Sequence, residues 1–263
     1  MQTATVVIKY GGHAMDKAEL SAAFAAGLAS LAHEGMSLVV VHGGGPQITK
    51  LLQRLNIQSH FVNGLRVTDA AAMEAVEMAL CGQVNKAVVT VLSQKGVNAA
   101  GISGRDGQLL QGTIRDPALG LVGDVRKVDP ALLQCLLKGG FVPVVAPVAS
   151  APNGQALNVN ADIAAGMLAG TLQADSFVLI SDVPGVLDAK GELIPHLDDA
   201  ECKRLQEANV ITGGMIPKVE ACFTALAHGC QRAIILDGRA PSSLTRYLRE
   251  NAALGTEITQ HSA

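Results

Sequence analysis

Short apolar, β-branched runs, closed by glycine turns and followed by helical patterning, constrain this chain most. Thr5-Val6-Val7-Ile8 precedes a stretch from 16 to 34 with Leu20, Phe24, Leu28 and Leu31 at helical spacing. Ser37 to Val41 precedes Gly43-Gly44-Gly45 and a helix from Pro46 to about Leu55, with proline where its missing N–H costs nothing. Uncharged strands need cover on both faces, which is the situation of a parallel sheet between helices. Composition fits this reading. Hydrophobic residues make up 49% and charged residues 16%, and with no Trp, two Tyr and five Phe the core must be Ala, Val, Leu and Ile. The 263 residues are enough to bury roughly 70% of the unfolded surface.

The same rhythm predicts helices over Ala70 to Ala79, Val84 to Gln94, after Asn160, near Asp198 to Glu207 and over Pro217 to His228. Buried strands are expected at Val142 to Val148, with Pro143 at the start, at Ser176 to Ile180 and at Arg232 to Leu236. Between 58 and 66, and between about 108 and 128, the helical rhythm lapses. Pieces such as Val62-Asn63-Gly64-Leu65 there predict hairpins on one edge of the sheet. The chain divides into an N-terminal half to about residue 172 and a C-terminal half from about 173.

Several function classes lose support. A net charge of -3 gives no basic nucleic-acid footprint, and the aromatics are too few for base stacking. The five cysteines are odd in number and the closest pair, Cys222 and Cys230, is eight apart, so a disulfide framework or structural zinc is not expected. The N-terminus lacks a basic n-region and Lys9 interrupts its apolar run, unlike a signal peptide. The longest uncharged stretch, Gly139 to Ala161, contains Pro143, Pro147 and Pro152 and cannot span a membrane as a helix. A soluble, cytoplasmic protein is expected.

Five segments could carry chemistry. Lys9-Tyr10-Gly11-Gly12 closes the first strand, where paired glycines let backbone N–H groups meet an anion and a lysine supplies charge. A tight turn with a solvated lysine explains it equally well. His42-Gly43-Gly44-Gly45-Pro46 feeds a helix N-terminus, an anion cradle, and His42 itself reads as a structural hydrogen-bonder. In Asn158-Val159-Asn160-Ala161-Asp162, Asn160 could be a plain N-cap, or Asn158 could hold a substrate while Asp162 orients a lysine. Lys218, after Gly213-Gly214, lies in a first helical turn where the dipole disfavours a cation, so an anion partner is implied. Arg66, in Asn63-Gly64-Leu65-Arg66-Val67-Thr68, could clamp a carboxylate or be an ordinary edge-strand arginine. No Gly-Lys dipeptide, G-x-S-x-G or HExxH occurs. Taken together the set fits phosphoryl transfer to a small carboxylate.

These segments, with Ser181-Asp182-Val183-Pro184-Gly185-Val186-Leu187 and Gly213 to Lys218, resemble the amino-acid kinase family from about residue 5 to residue 259. The resemblance implies an α/β fold, an open three-layer αβα sandwich around a mainly parallel central sheet. It is similar to members that use ATP to phosphorylate the γ-carboxylate of N-acetyl-L-glutamate. It implies Lys9 and Lys218 at the transferring phosphoryl group, Asp162 holding both, and Gly44, Gly45, Arg66 and Asn158 on the acceptor. Gly11 and Gly12 would lie near the phosphates. Asp182, Val183, Pro184, Gly185, Val186, Leu187, Val210, Ile211 and Thr212 would line the nucleotide site. Mg²⁺ would ride on the ATP phosphates, with few or no direct protein ligands. A sibling kinase with another carboxylate or carbamate acceptor, or a silent sensor, remain the alternatives. Hexameric, arginine-inhibited members carry an extra N-terminal helix for which the start of strand one leaves no room. Ile235 to Pro241 and Leu254 to Ile258 nevertheless resemble the C-terminal segment of arginine-sensitive members. The expectation is a homodimer without strong arginine feedback.

Overall fold

Side-chain alternation along a few apolar strands organises the whole molecule. The computed structural model describes residues 4–11, 15, 17–240 and 242–260. Strands β1 (Thr5–Tyr10), β2 (Ser37–His42), β8 (Val142–Ala146), β11 (Ser176–Ser181) and β13 (Ala233–Asp237) form the centre of the sheet. Val7, Val39, Val41, Val145, Phe177, Leu179 and Ile235 face one side. Val6, Ile8, Val40, Val144, Val178, Ile180 and Ile234 face the other. Both faces are therefore buried, as parallel strands require. Among the described residues the main sheet has eight strands in the order β12-β14-β13-β11-β1-β2-β8-β5. It adds β5 (Ala99–Ser103), β12 (His196–Leu197) and β14 (Thr256–Ile258). Pairing is parallel throughout except between β13 and β14.

Helices cover both faces, giving the expected αβα sandwich. Helix α1 (Ala18–His33) brings Leu28 and Leu31 to one face. Helix α2 (Gly45–Arg54) and helix α3 (Ala70–Glu77) cover the strand ends near Ala146 and Val148. Helix α3 runs through a π-helical segment, Met78–Val84, into α4 (Asn85–Ser93), so the two helices expected here are one. That helix is long and apolar enough to cross a membrane, but its apolar side chains Met73, Val76, Leu80, Val88 and Leu92 are buried in the core. Helices α5 (Ala131–Lys138) and α9 (Ser243–Glu250), with β5 and β14, interrupt no long pattern and were not expected from the sequence.

Two further expectations change. The run from Val142 to Val148 divides at Pro147: β8 stays in the main sheet and β9 (Val148–Ser150) enters another. Pro143 is the second residue of β8, opposite Ala100. The hairpins do not lie on the edge of the main sheet. β3 (Phe61–Val62) and β4 (Leu65–Arg66) pair only with each other. β6 (Leu110–Ile114) and β7 (Gly123–Val128) join β9 and β10 (Ala156–Asn158) in a separate four-stranded sheet. Cys202, Cys222 and Cys230 pack in the core, whereas Cys135 is exposed.

Small residues set the closest helix contact. Helix α6 (Ala161–Thr171) starts at Asn160, whose side chain accepts from the N–H groups of Asp162 and Ile163 at 2.8 and 3.2 Å. It runs beside α8 (Met215–Ala227), which follows α7 (Asp199–Glu207). A Cβ on Gly166 would lie 2.4 Å from the Ala221 carbonyl oxygen, and one on Gly170 3.0 Å from that of Ala225. The contacts advance together along both helices, so the helices are parallel and their N-termini share one end. Gly166→Ala should force them apart and cost about 1–3 kcal/mol. Urea unfolding tests this, and a midpoint equal to wild type would show that the contact is not close-packed.

Candidate active site

The shared end of α6 and α8 meets the carboxyl ends of β1 and β2, and there three charges are packed together. Lys9 Nζ lies 2.8 Å from Asp162 Oδ1, and Lys218 Nζ lies 3.0 Å from Asp162 Oδ2. Lys9 is 7% exposed and Asp162 5%. Each carboxylate oxygen thus faces its own ammonium. Burial alone would raise the Asp162 carboxyl; the charges and hydrogen bonds of Lys9 and Lys218 outweigh it and hold the group below its ordinary value. The trio carries a net positive charge of one. Lys218 is the fourth residue of α8, which begins two residues before Pro217.

Glycines make room around it. A Cβ on Gly11 would stand 2.6 Å from Lys9 Nζ, so any side chain there would push the ammonium aside. Gly43 N–H donates to the Tyr10 carbonyl at 2.9 Å, tying the two glycine loops together. A Cβ on Gly44 would meet Leu80 at 2.5 Å and Val84 at 3.3 Å. Among the described residues no acceptor takes the N–H groups of Gly44 or Gly45, as expected where a helix begins. Gly12 lies outside the described residues.

Next to this corner is a cavity of about 200 Å³, lined by Gly44, Gly45, Phe61, Leu65, Arg66, Val122, Asn158 and Asn160, among others. Arg66 is nearly buried; it donates to Ser59 Oγ at 3.0 Å, Thr49 Oγ1 at 2.7 Å and the Gly45 carbonyl at 3.2 Å. Its guanidinium stacks 4.6 Å over the Phe61 ring. Asn158 donates through Nδ2 to Thr68 Oγ1 at 3.1 Å, leaving its carbonyl oxygen for another donor. Thr68 Oγ1 in turn donates to the Arg66 carbonyl at 2.7 Å. Thr49 and Ser59 were not expected from the sequence, and Thr68 stood in the Asn63 to Thr68 segment without a role of its own; Thr49 carried a signal, four residues after Gly45 on the same helix face.

The segment from Asp182 to Leu187 follows β11. Asp182 is exposed, and with Lys17, Glu19, Leu20 and Arg239 it borders an opening of about 420 Å³. Val186 N–H donates to Thr256 Oγ1 at 2.8 Å, and the Val186 side chain sits in the core. Ile211 is likewise a core side chain and Val210 is partly buried against it, while Thr212 is exposed. Val186 and Ile211 can therefore meet a ligand only through the backbone. Among the described residues no group of three His, Cys, Asp or Glu side chains could hold a metal ion.

Strand-end glycine loops, glycine N–H groups that no acceptor among the described residues takes, and two ammoniums braced on one carboxylate together offer the donors and charge that phosphoryl transfer calls for. The chain belongs to the amino acid kinase family, whose model matches residues 4–237. It is 47% identical to the acetylglutamate kinase of Geobacter metallireducens, over 97% of this chain and 91% of that one. A solved Streptococcus mutans protein is 30% identical with a TM-score of 0.82, covering 97% of this chain and 98% of its own. N-acetylglutamate synthase from Neisseria gonorrhoeae, complexed with coenzyme A and N-acetyl-glutamate, is 25% identical with a TM-score of 0.86; this chain spans 61% of it and is covered fully.

Because the Asp162 carboxyl sits below its ordinary value, its ion pairs contribute fully at neutral pH and are lost as pH falls through the acid range. Asp162→Asn should lose about 3 kcal/mol at pH 7. The gap from wild type should narrow below about pH 4. Urea unfolding across pH checks this; a constant gap would contradict it.

Proposed function

We propose that this chain is a kinase that transfers the γ-phosphoryl group of ATP to the γ-carboxylate of N-acetyl-L-glutamate, the second step of arginine biosynthesis. The acceptor carboxylate is already an anionic nucleophile, so no strong base is needed. The barrier is the approach of two anions, and positive charge placed between them lowers it. The observation that carries the reading is the brace: one buried Asp162 with Lys9 and Lys218 on its two oxygens, beside glycine N–H groups that no acceptor among the described residues takes.

In this reading Lys9 and Lys218 stabilise the transferring group, Asp162 orients them, and Gly44 and Gly45 donate to the developing charge. Gly11 lies by the phosphates. Arg66 takes the acceptor's α-carboxylate and Asn158 also contacts the acceptor. The C-terminal half, from about 173, holds ATP through Asp182, Val183, Pro184, Gly185, Val186, Leu187, Val210, Ile211 and Thr212; the N-terminal half, to about 172, holds the acceptor. Mg²⁺ arrives on the nucleotide as part of the substrate. The enzyme works in the cytoplasm as a homodimer, for which exposed Met78 and Leu55 offer apolar surface.

Hydroxylamine traps an acyl phosphate, so ATP-dependent hydroxamate formation with N-acetylglutamate, glutamate, aspartate and aminoadipate reports reaction and acceptor together. Signal with N-acetylglutamate alone is expected. Signal with another acceptor, or none from folded protein, contradicts the proposal. Lys9→Ala and Lys218→Ala should each lower kcat by about 10² or more while remaining folded. Near wild-type turnover in either would remove that lysine from the chemistry.

A further inference from the structure

His42 is the last residue of β2 and is fully buried. Its ring makes two contacts. Nδ1 lies 2.8 Å from the Gly43 carbonyl oxygen, and Nε2 lies 3.2 Å from Asn85 Nδ2. Which nitrogen carries the proton follows from the surroundings of Asn85, which is itself 1% exposed. Asn85 Nδ2 faces two carbonyl oxygens, Val144 at 2.8 Å and Ile102 at 3.2 Å, so it is the amide nitrogen. Asn85 Oδ1 faces Lys86 Nζ at 3.1 Å, which only an oxygen could accept. An amide nitrogen has hydrogens to give and no lone pair to receive one. His42 Nε2 is therefore bare and shares with the Ile102 carbonyl the one Asn85 hydrogen not given to Val144, and the single ring proton sits on Nδ1 and is donated to Gly43. Burial, with Lys86 nearby, lowers the imidazole pKa to about 4, so the ring stays neutral.

That hydrogen bond acts on the glycine loop. In a trans peptide the carbonyl of one residue and the N–H of the next point in opposite directions. Fixing the Gly43 carbonyl on His42 fixes the Gly44 N–H on the other side of the same plane. The Gly43 N–H is already held by the Tyr10 carbonyl. The next residue is pinned from above by Leu80 and Val84, which fill the space a Gly44 side chain would need. Both belong to the π-helical segment that ends immediately before Asn85. One irregular turn thus supplies the wall on Gly44 and the amide that sets the His42 tautomer. π-turns often mark functional sites.

We infer that His42, with its tautomer set by Asn85, is a positioning residue that aims the Gly44 N–H at the reacting group. The inference rests on the kinase reading above, in which Gly44 donates to developing charge. His42 touches no substrate and moves no proton. Its effect belongs in the chemical step rather than in nucleotide binding.

Two variants separate the donor from the volume. His42→Leu and His42→Asn remove the same ring and have similar shapes, but the asparagine amide can stand where Nδ1 stood and still donate to Gly43. His42→Leu should lower kcat with N-acetylglutamate by about 10- to 100-fold, with the KM for ATP within about two-fold of wild type. His42→Asn should recover most of that loss. Both should melt at similar temperatures. Equal kcat values for the two variants, with wild type active, would overturn the inference. Wild-type protein that makes no hydroxamate from N-acetylglutamate would overturn the reaction reading itself, and with it the role assigned here. Nitrogen-15 spectra of wild-type His42 give a measurement that needs no variant to fold. A protonated Nδ1 and bare Nε2 between pH 6 and 8 is expected, and the opposite tautomer would overturn the inference.

Discussion

Everything at the strand ends depends on one carboxylate being shared by two ammoniums. Buried ions are tolerated only when each is paired and hydrogen-bonded. Asp162 is paired on both oxygens, Oδ1 in an ion-pair contact with Lys9 and Oδ2 in an ion pair and hydrogen bond with Lys218. The lysines come from distant parts of the chain, one from the first strand and one from a helix in the last quarter. Their approach to each other is repulsive unless the aspartate lies between them. The trio is thus both a fastening between two halves of the sequence and a source of one uncancelled positive charge. A phosphoryl group in flight needs that charge in a fixed place, since its transition state is stabilised by position more than by covalent chemistry.

The fold supplies the placement through close backbone approach. Helices α6 and α8 pack closely because Gly166 and Gly170 let the neighbouring helix's carbonyls approach, and their parallel course brings Asp162 and Lys218 to the same end. Gly11 leaves space for the Lys9 ammonium, and Gly44 accepts the weight of the long helix through Leu80 and Val84. Opposite them, Arg66 is held in its cavity by Ser59, Thr49, Gly45 and the Phe61 ring.

Much of this was legible in the sequence. The β1 and β2 runs, the helix after Asn160 and the odd position of Lys218 all pointed to the arrangement found. What was not legible was three-dimensional in origin. The run ending at Val148 reads as one strand because both pieces are apolar, yet they serve different sheets. Asn85 belongs to none of the five segments, and its partner His42 is 43 residues away in the sequence, brought to it by the fold just after the π-helical turn. Thr49 and Ser59 lie outside the five segments, and Thr68 lies inside one without a role of its own; they matter because folding puts them beside Arg66 and Asn158. Val186 and Ile211 lie in segments that resemble ligand-binding ones, but their side chains are spent on the core.

The account holds that Asp162 sets the position of the ammoniums and does more than balance their charge. The kcat of Asp162→Glu tests this most directly, because the variant keeps the charge and moves the brace by one methylene. A misplacement of that size is predicted to cost about 10² in kcat, with both KM values within a few-fold of wild type. Turnover close to wild type would mean that charge alone suffices, and would contradict the account.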